Sequence, residues 1–231
     1  SVENQASQIE AWLNENLASF QMAKTIIEDL KPSDEELKTI LDGYYGYNSN
    51  YPEGLYVADS TGQLITASES TKKESDVTNS TWYKEGLTRV NMAVGSAYQN
   101  ADGVNVISAS GILNDGSDKV RVISADMTLD RIAIIVNSFI EMNDAEAFLV
   151  DKTSGVILAN RDSSLISQTL GAEGQSHFYQ LTAEKAAEKD YNFATLDGNM
   201  TVFQEVDGTN WLLISYIPTS IVPVSYTHLT L

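Results

Sequence analysis

The sequence predicts an α+β fold, with one long N-terminal helix followed by two tandem modules, each an antiparallel sheet flanked by helices. Three observations predict it. Apolar residues at Ile9, Leu13, Leu17, Phe20, Ile27 and Leu30 recur at helical steps with no Gly or Pro between them. The texture then changes to short strand-like runs separated by turn residues. Finally, one strand-turn-strand plan occurs twice, as Leu55-Tyr56-Val57-Ala58-Asp59-Ser60-Thr61-Gly62-Gln63-Leu64-Ile65 and as Phe148-Leu149-Val150-Asp151-Lys152-Thr153-Ser154-Gly155-Val156-Ile157. Both copies are an apolar strand ending in Asp, a Gly-containing turn and another apolar strand, which two tandem modules explain better than one continuous sheet.

The elements follow in order. Lys31-Pro32 ends the long helix, and Ser33 with Glu36 forms a capping-box pattern that opens a short second helix through Leu41. The tyrosine-rich stretch from Gly43 to Tyr51 reads as loop. Strands are predicted over Leu55–Ala58, Leu64–Ala67, Gly95–Gln99, Val104–Ser110 and Val120–Met127, then a helix over Leu129–Ile140. The second module repeats the theme. It has a hairpin over Ala147–Ala159, a helix within Gln175–Lys189, and strands at Tyr191–Ala194, Met200–Val206 and Trp211–Ile217. The expected boundaries are residues 1–45 for the two leading helices, 46–143 for the first module and 144–222 for the second. Residues 223–231 form a short, polar, atypical tail and stay outside the fold argument.

Composition excludes several function classes. With 32 acidic and 14 basic residues the net charge is −18, which repels phosphate backbones and anionic membrane surfaces, so nucleic acid is not an expected partner. No apolar run approaches the ~18 residues needed to cross a bilayer. Cysteine is absent and the only histidines are His177 and His228, so thiolate chemistry and multi-histidine metal sites are unavailable, and no metal or cofactor is expected. Gly174-Gln175-Ser176-His177-Phe178 has Phe where a nucleophile elbow needs Gly. Asn100-Ala101-Asp102-Gly103 lacks the later ligands of a calcium loop and reads as a turn. No pair of acids is singled out by spacing for hydrolysis, so the chain is not expected to be an enzyme.

The segments "LYVADSTGQLITAS", Trp82-Tyr83, "SAYQNADGVNVISASGI", "VRVISADMTLDRI", "AFLVDKTSGVILANRD" and "TNWLLISYIP", in this order behind a long helix, resemble the extracellular double Cache sensor domain of bacterial chemoreceptors and sensor kinases. The likeness spans about Ile9 to Val222. It implies two PAS-like Cache modules, a small-molecule ligand in the first of them, a place at the cell membrane with this domain extracellular or periplasmic, and anchoring in the membrane only through the full-length protein. It also implies that Trp82, Tyr83, Tyr98 and Asp126 line the pocket. Amino-acid-binding members carry an arginine and a tyrosine where this chain has Ser80 and Ser75, and often an aspartate where it has Asn100. Those departures keep the ammonium-binding half through Asp126 and weaken the carboxylate-binding half.

The residues make physical sense without the family. Tyr98 and Asn100 share one face of a strand, and Asp126 continues the face of Val120, Val122 and Ser124. A carboxylate on an apolar face is costly unless a cation or several donors meet it, so an ammonium or N–H-rich ligand is one partner. The other reading is that Asp126 or Thr128 caps the helix beginning near Leu129. Trp82 and Tyr83 are either flat walls for a cation or ordinary core aromatics. The site expected from sequence is therefore Ser80, Trp82, Tyr83, Tyr98, Asn100 and Asp126, with an amine, amino acid or nucleobase-like ligand and with Lys84 as the nearest cation in sequence. The long apolar stripe of the first helix adds the expectation of weak homodimerisation. Rival readings are a sensor kinase or diguanylate cyclase input domain and a secreted solute-binding protein.

Overall fold

The computed structural model of the chain describes residues 1–140 and 145–221. Helix α1 (Val2–Leu30) extends seven residues further toward the N-terminus than the predicted start at Ile9, because Val2 and Ala6 continue the same apolar stripe and are buried. Ile9, Leu13, Leu17, Phe20 and Ile27 are buried as well, while Leu30 is exposed. The stripe that suggested dimerisation is thus largely covered within the chain. What α1 leaves outward is a different row, Met22, Ile26 and Leu30, at four-residue steps. Helix α2 (Asp34–Asp42) starts as predicted, with the Glu36 amide donating to Ser33 Oγ and that hydroxyl donating to Glu36 Oε1.

The chain divides into two compact units, residues 12–128, and residues 1–11 with the chain beyond 128. Residues 12–128 hold one five-stranded antiparallel sheet made of β1 (Tyr56–Asp59), β2 (Leu64–Ile65), β3 (Ala93–Gln99), β4 (Asn105–Leu113) and β5 (Arg121–Thr128), in the order β2-β1-β5-β4-β3. The other unit has α4 (Leu129–Ile140) and a second such sheet. Its strands are β6 (Glu146–Asp151), β7 (Ile157–Ala159), β8 (Ala194–Leu196), β9 (Asn199–Val206) and β10 (Trp211–Pro218), in the order β7-β6-β10-β9-β8. The same permutation twice is the internal repeat written in hydrogen bonds. The expected boundary between residues 143 and 144 and the tail at 223–231 lie outside the described residues.

The shared Asp explains why both hairpins close alike. Asp59 Oδ1 accepts from the Thr61 and Gln63 amides and from the Thr61 hydroxyl, and Asp151 Oδ1 accepts from the Thr153 amide and the Asn210 side chain. Gly62 and Gly155 take the positive φ, 89° and 74°, that lets each turn return. Burial by itself would raise the Asp59 pKa, but these hydrogen bonds outweigh it and hold the carboxyl below the ordinary range.

Beyond shifts at strand ends, such as the strand expected over Leu64–Ala67 that stops at Ile65, two elements depart from expectation. The strand expected over Tyr191–Ala194 begins at Ala194, since the Asp190 carboxylate accepts from the Asn192 amide and side chain and ties residues 190–192 into a turn. Conversely, α3 (Thr81–Leu87) was not foreseen as a helix; it is only seven residues long and shows too little periodicity to be read. Helix α3 lies on the sheet so closely that a Cβ built at Gly86 would come within 2.3 Å of Val122 Cγ1. The close approach seats Trp82 and Tyr83 on the face that carries Tyr56, Ala58 and Val122. Gly86→Ala is therefore expected to cost about 2 kcal/mol in chemical denaturation. Combining it with Val122→Ala should destabilise by clearly less than the sum of the single changes, and strict additivity would show that the two residues do not meet.

Candidate ligand-binding site

Strand register brings the site together. Ser108 lies directly opposite Asp126, Tyr98 opposite Val106, and Tyr56 opposite Ser124. Tyr98 is thus diagonal to Ser108 and Tyr56 diagonal to Asp126, all on one face and within reach of long side chains. Tyr56 OH donates to Asp126 Oδ1 at 2.5 Å and Ser108 Oγ donates to the same oxygen at 2.6 Å. Tyr98 OH and Ser108 Oγ share a hydrogen bond of 2.5 Å. The second oxygen, Oδ2, accepts from the ammonium of Lys72 at 2.8 Å.

Lys72 reaches the site from the irregular segment between β2 and α3. Its side chain is only 6% exposed, against 14% for Asp126. The ammonium also lies 4.4 Å from the centroid of the Tyr56 ring and 5.9 Å from that of Trp82. Glu74, from the same segment, accepts from Trp82 Nε1 at 3.0 Å and stands 4.0 Å from Lys72 Nζ. The Tyr56 and Trp82 rings meet edge to face, with centroids 4.9 Å apart. The result is a closed aromatic-walled cluster holding two carboxylates and one ammonium.

Two buried phenols, Tyr56 and Tyr98, belong to it, and a third, Tyr51, packs on Phe20. The Tyr51 hydroxyl is fully buried with no hydrogen-bond partner among the described residues. Burial pushes the pKa of Tyr51, Tyr56 and Tyr98 upward, and in each the charge of Asp126 pushes further.

Of the six residues nominated from sequence, the structure joins Trp82, Tyr98 and Asp126, and the Tyr83 ring packs edge-on against Trp82 with centroids 5.9 Å apart. The polar groups of Tyr83, Asn100 and Ser80 have different work. Tyr83 OH donates to the Val120 carbonyl at 2.8 Å, six residues before Asp126 along the chain. The Asn100 side chain accepts from the Asp102 and Val104 amides and closes the turn after β3. Ser80 Oγ donates to the Val77 carbonyl ahead of α3. The cation at Asp126 is Lys72 rather than Lys84, which is exposed on α3. Both Asp126 oxygens are engaged by side chains, which disposes of helix capping as the reason for the acid. Sequence reasoning missed Lys72, Glu74, Tyr56 and Ser108.

The second sheet supplies a contrast. Asp59 pairs with Arg121 and Asp151 pairs with Trp211, so by register Tyr56 corresponds to Phe148 and Asp126 to Tyr216. There Tyr216 packs on Phe178 and Phe148, with Tyr179 against both phenylalanines. Rings fill the place that the first sheet leaves polar. Asn160, which is buried, donates to Tyr179 OH, Arg161 pairs with Glu146, and Ser176 caps α5 (His177–Ala187) through the Tyr179 amide. A wider groove of about 710 Å³, lined by Glu28, Lys31, Val90, Asp115, Lys119 and Arg121 among others, contains none of the nominated residues. Its guanidinium is already paired with Asp115 and Asp34.

Comparison with known proteins places this geometry. The Cache domain model dCache_1 matches residues 1–224. The chain belongs to the Cache domain family. This Cache domain resembles the ligand-binding domain of the Pseudomonas fluorescens chemoreceptor CtaA, solved with L-isoleucine, at 20% identity and a TM-score of 0.70, covering 94% of this chain and 89% of that one. The ligand-binding domain of the Pseudomonas aeruginosa amino-acid chemoreceptor PctC, solved with GABA, gives 21% and 0.70, over 93% and 95%. The extracellular domain of the histidine kinase mmHK1S-Z2, putative in its own description, gives 14% and 0.71, over 94% of each chain. At these identities the solved structures show a shared fold. No significant match exists among curated proteins. The family makes the chain a sensor domain, and its two five-stranded sheets behind a long helix are the α+β double Cache architecture.

The raised phenol pKa values carry a testable sign. An unfolded tyrosine ionises near pH 10 while these three stay protonated in the fold, so stability is intact below ~10 and falls as pH rises beyond it. In an ultraviolet pH titration, Asp126→Asn should bring phenolate formation to lower pH than in the unaltered protein. Superimposable titrations would show that Asp126 does not act on these phenols.

Proposed function

We propose that this Cache domain is the extracellular ligand-binding part of a transmembrane receptor, a chemoreceptor first, and that it binds a small amino-bearing metabolite at Asp126 without turning it over. The observation that carries the reading is the Lys72–Asp126 pair, an acid and a cation held side by side against aromatic rings, each able to meet the opposite charge of one ligand. An amino acid fits better than the other ligands the sequence admits. Its ammonium meets Asp126 while its carboxylate meets Lys72, so both members of the pair keep a partner. A bare amine satisfies only the acid, and a planar N–H donor only the acid and the aromatic walls. A dicarboxylate would draw Lys72 away and strand Asp126.

The solved relatives support the class. The neighbouring chemoreceptor domains were solved in complex with L-isoleucine, L-leucine, L-alanine, L-serine, L-glutamine and GABA. A histidine kinase input is the second reading, because the extracellular domain of mmHK1S-Z2 shares the fold equally well. The ligand argument is the same for either output. Among the described residues no helix is long and apolar enough to cross a membrane, so anchoring belongs to other parts of such a receptor. Pairing of two copies we assign to the exposed row Met22, Ile26 and Leu30 of α1; linkage to a membrane would raise the effective concentration at which so small a patch works.

A thermal-shift screen should show amino acids raising the melting temperature, with dicarboxylates lacking an amino group leaving it unchanged. Asp126→Ala should weaken the best ligand by at least ~2 kcal/mol, about thirtyfold in Kd by calorimetry, and full affinity in a folded Asp126→Ala protein would defeat the assignment. In sedimentation velocity, dimer should grow with concentration and vanish in Met22→Glu/Ile26→Glu; a strict monomer at millimolar concentration would refute pairing through this row.

A further inference from the structure

The ammonium of Lys72 already has the surroundings that the ligand's ammonium is proposed to seek. It is a primary ammonium on a methylene, held by a carboxylate at 2.8 Å and by two aromatic faces, with its side chain 6% exposed. We propose that Lys72 is an internal occupant of the ammonium seat, and that binding is an exchange in which the ligand's ammonium replaces the lysine's and the displaced Lys72 pairs with the ligand's anionic group. This inference rests on the proposed function above and adds a selectivity rule to it.

The segment carrying Lys72 is built for a side-chain exchange. The Ser68 amide donates to Asp42 at 2.6 Å and the Thr71 hydroxyl to Glu53 at 3.0 Å, which fixes the backbone just ahead of the lysine. What remains free to move is a flexible four-carbon stem. The displaced ammonium is not left unpaired, since Glu74 stands 4.0 Å from it already and keeps its hold on Trp82 Nε1. Releasing a buried lysine also returns rotamer freedom to it. The occupant competes with every cation, but only a ligand with an anionic group beside its ammonium turns that competitor into a contact. Monoamines meet the competition without the compensation.

The probes are ethylammonium and L-alanine, which share a primary ammonium on carbon and differ in the carboxylate. In calorimetry, Lys72→Met should raise ethylammonium affinity and lower the alanine-to-ethylammonium affinity ratio by about tenfold. In the unaltered protein, the Lys72 side-chain methylene NMR resonances, assigned with Lys72→Arg, should be displaced by the Tyr56 and Trp82 rings and should shift when L-alanine saturates the site. An affinity ratio unchanged within about twofold in Lys72→Met, or Lys72 resonances unmoved at saturation, overturns the exchange. If Lys72→Met does not fold, the resonances in the unaltered protein decide. Binding that is lost in Asp126→Asn while ratio and resonances stay put defeats the exchange alone; absence of binding by either probe to either protein defeats it together with the proposed function.

Discussion

A carboxylate on the inner face of a sheet must find positive charge or several donors, and in this chain the demand of Asp126 organises everything around it. Two hydroxyls, Tyr56 and Ser108, meet one oxygen, and the Lys72 ammonium meets the other. Lys72 in turn draws its segment over Trp82, whose N–H needs an acceptor and finds it in Glu74. In the proposed reading, the pair offers one ligand both an acid and a cation. Replacing buried ion pairs with apolar side chains is often neutral or stabilising, so an ion pair here is explained better by recognition than by stability.

The scaffold was legible in the chain because each element carries its own local signature. The helical stripe of α1, the Ser33/Glu36 cap and the two Asp-turn-Gly hairpins are short-range features, and short-range chemistry explains them in the structure. Errors arose where local signals were weak or where tertiary packing chose. Helix α3 is too short for periodicity and exists because Gly86 lets it settle onto Val122. Likewise the apolar residues of α1 could be read as a stripe but not assigned to a partner surface, and burial within the chain turned out to claim most of them.

The site was legible by halves for a related reason. Asp126 betrayed itself by interrupting an apolar face, and Trp82 and Tyr98 were carried by the family pattern. Tyr56 and Ser108 become neighbours of Asp126 only through the order β1-β5-β4-β3, which no single segment encodes. Lys72 and Glu74 sit where no periodicity exists, among other charges at Lys73 and Asp76 that face solvent. Tyr83, Asn100 and Ser80 were nominated by position, while their polar atoms serve a strand carbonyl, a turn and a loop carbonyl. The second sheet shows what the same register looks like without the constraint, with Tyr216 and phenylalanines in place of the acid and its donors.

The central claim is that the Lys72–Asp126 pair serves recognition rather than folding, and replacing both members together addresses it most directly. Lys72→Met/Asp126→Leu removes both charges of the pair at similar volume and leaves Glu74 hydrogen-bonded to Trp82. Measured by thermal unfolding with and without amino acids, the double variant should remain folded and show no ligand-dependent rise in melting temperature. A double variant that stays folded and is still stabilised by the same amino acid would contradict the account, because the ligand would then be held by something other than this pair.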